Sequence, residues 1–228
     1  MKKATLLFFA LALCVQALAQ NYDYKPRETW PYLLEEFTSG GVHTSGGEDL
    51  NEGWYNVSVI DGKLHYIKDG RIMEADMRLI QYARIGRQMY VNRFGKMVEV
   101  VAEEGPNALL RSVLVDLDEF AKADIGYGVS SATASAQNLT GMSISGISQN
   151  MELETAIAGS KVGKVLPLKV QYSFMLGAKQ IDASKSAVLA LPEIDKAAAK
   201  AFFKQEKIKW SKPESLAKVL KYLTDNNL

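Results

Sequence analysis

The chain has 228 residues, with 27 basic and 26 acidic side chains and one cysteine, Cys14. That length supports one large domain or two small ones around a buried core. A composition of 47% hydrophobic and 23% charged residues is that of a globular protein, not a disordered one. A net charge of +1 excludes the basic excess that phosphate backbones require, so nucleic acid is not an expected partner.

The first nineteen residues read as an export signal. Lys2 and Lys3 form a basic head, Ala4 to Val15 is apolar, and Ala17-Leu18-Ala19 places small residues before a cleavage point at Gln20. The apolar stretch is shorter than the roughly 20 residues a spanning helix needs. A buried N-terminal helix would leave the basic head and the Ala-x-Ala site together unexplained. Leu13 stands where a lipoprotein signal before Cys14 requires a small residue, so the thiol is expected to leave with the signal. Removing nineteen residues, two of them lysines, leaves 209 residues with 25 basic and 26 acidic side chains and no cysteine. Such a chain has no disulfide, thiolate metal site or cysteine nucleophile. It is expected in the periplasm or outside the cell, with no transmembrane segment after cleavage.

From Asn21 to Val42 the chain is rich in aromatics: Tyr22, Tyr24, Trp30, Tyr32 and Phe37. Leu33, Leu34 and Phe37 at helical spacing before Gly40-Gly41 predict a short capped helix. Thr44 to Gly53 is a polar loop. Trp54 to Val115 then reads as an antiparallel meander, punctuated by Asp61-Gly62, Asp69-Gly70, Gly86 and Gly95. Asp-Gly supplies the positive φ angles of type I′ hairpin turns. Strands are predicted over 54–60, 63–68, 71–75, 78–85, 87–93, 96–103 and 108–115, with Val98, Val100 and Ala102 alternating against Met97, Glu99, Val101 and Glu103.

Between Asp124 and Glu152 no charged residue occurs, and Gly and Ser are frequent. This segment is expected to be a flexible linker or a long loop that hides an irregular strand. A strand follows over 164–176, with Pro167 near its start. From Asp182 the period becomes helical. Asp182 caps a helix over Ala183 to Leu189, Pro192 opens another to Gln205, and Ser211-Lys212-Pro213-Glu214 has capping-box spacing. Behind it Leu216, Val219, Leu220 and Leu223 make one apolar face, with Ile208 and Trp210 plugging the joint between the two helices. The expected organisation is signal 1–19, meander unit 20–123, uncharged segment 124–152, and returning strands then helices over 153–228. The fold class is α+β: an antiparallel curled sheet or partial barrel with a C-terminal helical segment.

Tyr32-Leu33-Leu34-Glu35-Glu36-Phe37, Lys63-Leu64-His65-Tyr66-Ile67-Lys68-Asp69-Gly70, Phe202-Phe203-Lys204-Gln205-Glu206-Lys207-Ile208-Lys209-Trp210 and Glu214-Ser215-Leu216 occur in this order. Their arrangement resembles a group of small secreted proteins of Gram-negative gut and environmental bacteria that carry no assigned activity. The resemblance spans most of the chain, departs from the group in the longer, glycine-rich Thr44–Gly53, and implies export and architecture only.

Catalytic motifs are sparse. His43 and His65 are the only histidines, and they lack metal-ligand spacing. Glu48, Asp49 and Glu52, and Asp116, Asp118 and Glu119, are oxygen-rich groups without a calcium-loop pattern. Gly141-Met142-Ser143-Ile144-Ser145-Gly146 has the wrong spacing for a nucleophile elbow, and Gly126-x-Gly128 lacks a third glycine. No catalytic residue, metal or cofactor is assigned. Trp30, Tyr32, Trp54 and Tyr55, with His65, are the candidate ligand contacts, since aromatic faces stack on sugars; Trp210 is expected in the core. Trp54 and Tyr55 point to opposite faces of one strand, so at least one belongs to the core. Lys196, Lys200 and Lys204 recur every four residues, and with Lys207, Lys209, Lys212, Lys218 and Lys221 read as a solvated face more than as a membrane or glycan contact. The expectation is an exported, non-enzymatic module of the bacterial envelope that binds a protein or glycan. The alternative is an envelope glycan or peptidoglycan hydrolase with paired carboxylates.

Overall fold

A computed structural model describes residues 31–47, 49–116 and 167–227. The signal segment, Trp30, and the uncharged 124–152 segment lie outside these residues. So do the side chains of Glu48, Asp49, Glu52, Asp118 and Glu119.

Ten strands form one open antiparallel sheet: β1 (Thr38–Thr44), β2 (Asp49–Val57), β3 (Leu64–Lys68), β4 (Arg71–Glu74), β5 (Ile80–Ile85), β6 (Gln88–Arg93), β7 (Lys96–Glu104), β8 (Asn107–Val115), β9 (Leu168–Leu176) and β10 (Lys179–Asp182). Their order is β10-β9-β8-β7-β6-β5-β1-β2-β3-β4. Among the described residues three helices follow, α1 (Lys185–Leu189), α2 (Lys196–Gln205) and α3 (Pro213–Asp225). The α+β class with a curled sheet is therefore the observed architecture.

The meander is interrupted, because the segment expected as a helix and a loop supplies β1 and the start of β2. Residues 32–37 do not coil, since their backbone groups find partners elsewhere. Leu33 N–H donates to the Val57 carbonyl (2.9 Å), and the buried Asn56 amide bonds both Leu34 N–H and C=O and the Glu36 carbonyl. Tertiary hydrogen bonds thus override helical spacing. Gly40-Gly41 cap nothing; they lie within β1, where a Cβ on Gly40 would sit 2.2 Å from the Arg84 carbonyl oxygen of β5. Only glycine lets the two backbones approach this closely. The polar loop shrinks to a turn, with Gly47 N–H bonded to the Thr44 carbonyl (3.0 Å).

β1 pairs with both β2 and β5, so β4 and β5, consecutive in sequence, stand four positions apart. In a flat sheet that separation is about 19 Å. Five residues join them, and a turn closed by Leu79 N–H on the Asp76 carbonyl shortens the link below the extended reach of about 20 Å. The sheet must therefore roll. Rolling gathers Val42, Tyr55, Val57, Leu64, Ala83, Ile85, Tyr90 and Met97 into one core. The Ser58–Lys63 link seals the end of the roll: Met97 N–H reaches the Gly62 carbonyl and Val115 N–H the Val59 carbonyl, both at 2.7 Å. Here Gly62 N–H bonds Ser58 C=O, and Asp61 keeps a negative φ, so this Asp-Gly is not the expected type I′ turn. Asp69-Gly70, with φ of 51° and 73°, is.

Leu109, Phe174 and Leu176 on the same face of β8 and β9 pack against α1–α3, including Val188, Phe203, Leu216, Val219, Leu220 and Leu223. The four expected α3 residues are fully buried, and Ile208 and Trp210 pack against this cluster as expected. Three cap assignments change: α1 is capped by Ser184, α2 by Asp195, and α3 starts after Lys212, which makes no side-chain cap bond. β7 is buried on both faces at Met97 and Val98, and a bulge between Val100 and Ala102 breaks the alternation expected of it. Lys196, Lys200 and Lys204 are exposed.

Candidate functional site

Tyr32 and His65 are brought together: the Tyr32 hydroxyl is hydrogen-bonded to His65 Nδ1 (2.8 Å), and the tyrosine ring stacks edge-on with Phe37 (5.0 Å between centroids). Tyr32 is buried, so this pair fastens residues 32–37 to the outer face of β2 and β3. Tyr55 is buried on the opposite face, while Trp54 is 43% exposed; the two do split between faces. Tyr55 folds back over Gly53, where a Cβ would lie 2.6 Å from its ring. Burial, helped by the neighbouring Tyr66, raises its pKa. Trp30 lies outside the described residues. His43 stacks on Tyr82 at 4.7 Å.

Among the described residues acids gather at a depression lined by Lys63, Glu74 and Ala75 to Arg78. Lys63 donates to Glu74 Oε1 (2.7 Å) and pairs with Asp61 (3.4 Å). Burial lowers the Lys63 pKa, but the bond to Glu74 and the charges of Asp61 and Glu74 outweigh it and raise it overall. Both carboxylates are thus gathered on one ammonium at a partly exposed surface, whereas a general acid of a glycosidase sits in an apolar pocket. Asp76, bonded by the Arg78 side chain and backbone, is held down at about 2. Among the described residues no three His, Cys, Asp or Glu side chains group as metal ligands.

A different arrangement, with one acid among amides, hydroxyls and apolar side chains, occurs on the sheet face away from the helices. There Arg93, Lys96, Val98, Ser112, Gln171, Ser173, Gln180, Asp182 and Ser184 line a trough of about 490 Å³, within the usual range of about 300–1,000 Å³ for small-ligand sites. Register puts Val98, Ser112 and Gln171 in one row and Leu110, Ser173 and Asp182 in the next. Strand β6 stands four positions from β10, yet Arg93 Nε donates to Gln180 Oε1 (3.1 Å) and Gln180 Nε2 to Ser173 Oγ (3.0 Å). The sheet is therefore curved over this region, and Val98 and Leu110 are buried beneath the bridge.

At the mouth stands Phe94, 87% exposed, at the tip of the β6–β7 hairpin. Its φ of 55°, with 80° at Gly95, makes a type I′ turn whose first position ordinarily holds Asn, Asp or Gly. A bulky side chain there is an outlier. Asn92 Oδ1 accepts from Gly95 N–H (3.0 Å), and the Arg93 guanidinium lies 5.4 Å over the Phe94 ring. The turn's glycine was legible in the sequence. The signal for a site was the residue before it, Phe where Asp69 holds the equivalent place in the β3–β4 turn.

Comparison with family models, with curated proteins and with solved structures finds no match. Among the described residues no helix is long and apolar enough to cross a membrane.

Proposed function

We propose that this chain is an exported, non-enzymatic binding module of the bacterial envelope, and that it meets its ligand at the trough beside Phe94. The supporting observation is Phe94 itself. An apolar ring in solvent forgoes its hydrophobic stabilisation, and its left-handed backbone costs about 1–2 kcal/mol. Strain of this kind concentrates at ligand clamps and active sites. Arg93, fixed by Gln180 and by the ring, arrives preorganised. A hydrolase is disfavoured because the acids that meet, Asp61 and Glu74, share Lys63, and the trough is lined by one acid, Asp182.

The test is co-sedimentation of the purified protein with an envelope preparation from the producing bacterium. The protein is expected in the pellet, with no soluble sugar or peptide fragment released, and Phe94→Asn is expected to stay in the supernatant. Fragments released by the protein, or sedimentation untouched by Phe94→Asn, would overturn the proposal.

A further inference from the structure

Resting on that reading of the trough, we infer that its ligand is a glycan, with one pyranose ring stacked on Phe94 and neighbouring hydroxyls bonded to Gln171, Gln180 and Asp182. The chemistry of the lining selects this class. A polyanion would meet the Asp182 carboxylate and a balance of one positive charge, from Arg93 and Lys96 against that acid. A purely apolar ligand would pack on Leu114 and Tyr172 but leave Lys96, Gln171 and Asp182 beside it without water or a partner from the ligand. An extended peptide joining the sheet needs a free strand edge; β7, β8 and β9 are paired on both sides, and β10, which has a free edge, is four residues long.

A pyranose matches the remaining features. It has an apolar face of axial C–H groups, which fits the exposed ring of Phe94, and a rim of hydroxyls that each donate and accept. The Gln171 amide offers two donors and an acceptor, Gln180 keeps one N–H beyond its bonds to Arg93 and Ser173, and a carboxylate accepts twice over. Planar groups of this kind bond adjacent hydroxyls two at a time. The trough crosses the strands from the β6–β7 turn to Ser184 before α1, so it suits consecutive sugars of a chain.

The full-length protein is to be titrated with two probes, the intact envelope preparation and its polysaccharide fraction after exhaustive protease digestion and delipidation. Both are expected to bind, Phe94→Asn lowering affinity at least tenfold, Gln180→Leu lowering it several-fold, and Phe94→Trp retaining it within about threefold because stacking survives. Thermal melting of each variant separates lost binding from lost fold. If the intact envelope binds in a Phe94-dependent way but the polysaccharide does not, the glycan inference fails and the binding module stands. If Phe94→Asn leaves envelope binding unchanged, the trough reading itself fails.

Discussion

At the scale of single residues, two side chains act against what their positions ordinarily hold. Phe94 occupies a left-handed turn position that Asn fills with less strain. Phe94→Asn is therefore expected to stabilise the fold by about 1 kcal/mol, seen as a higher urea midpoint with an unchanged slope, in the same variant that loses ligand. A drop in midpoint would mean that the ring is packed and not offered. Asn56 is the opposite case, a polar residue with no exposure. It makes three bonds to the backbone of residues 34–36, and removing it strands those groups. Asn56→Ala is expected to cost about 2–3 kcal/mol, and proteolysis should then cut first near residues 32–37. Neither role was legible in advance: a sequence gives Asn56 a strand position but not the partner that arrives from twenty residues earlier.

Whole elements were more legible where their pattern is local. Strands β3 to β8 announce themselves through alternation and glycine turns, and α3 through four leucines and valines at helical spacing, because burial of one face decides both. β1 was missed because Leu33, Leu34 and Phe37, just before it, have the spacing of a helix that Gly40-Gly41 would cap. What chooses the strand is pairing with β5 and close approach to Arg84, a non-local fact. The trough was invisible for the same reason: Arg93 and Gln180 are 87 residues apart in sequence. Helix α3 also begins without a side-chain cap at Lys212. Lys212→Asp is expected to add about 0.5–1 kcal/mol through a cap bond and the helix dipole, measured by chemical denaturation; no gain would indicate that Pro213 already fixes the entry.

Across the molecule, the rolled half and the helix-covered half share one sheet face, and a row of four residues marks their junction. Tyr90, Glu99, Arg111 and Tyr172 sit opposite one another on β6, β7, β8 and β9, with Arg111 Nε donating to Glu99 Oε2 (2.7 Å). Burial, then the Glu99 charge, push the Tyr90 hydroxyl well above the ordinary tyrosine range, although Arg111 pulls the other way. The folded state therefore favours the protonated phenol. Its contribution is complete below the unfolded-state pKa of about 10 and falls away as pH rises beyond it, because the unfolded chain ionises first. Tyr55 adds in the same direction. Stability is expected to decline between about pH 10 and 12, and Tyr90→Phe to flatten that decline; urea midpoints across this range decide it.

The place of β1 has a kinetic consequence. It is the first strand of the described residues but lies inside the sheet, between β2 and β5. A chain threaded through a channel N-terminus first would present β1 early and leave one of its edges waiting until Ile85 emerged to meet Gly40. Contacts of such sequence separation form slowly, and an unfinished edge is the hazard that chaperones cover. Under the proposed export, the delay that keeps the sheet incomplete would also keep the polypeptide thin enough to pass.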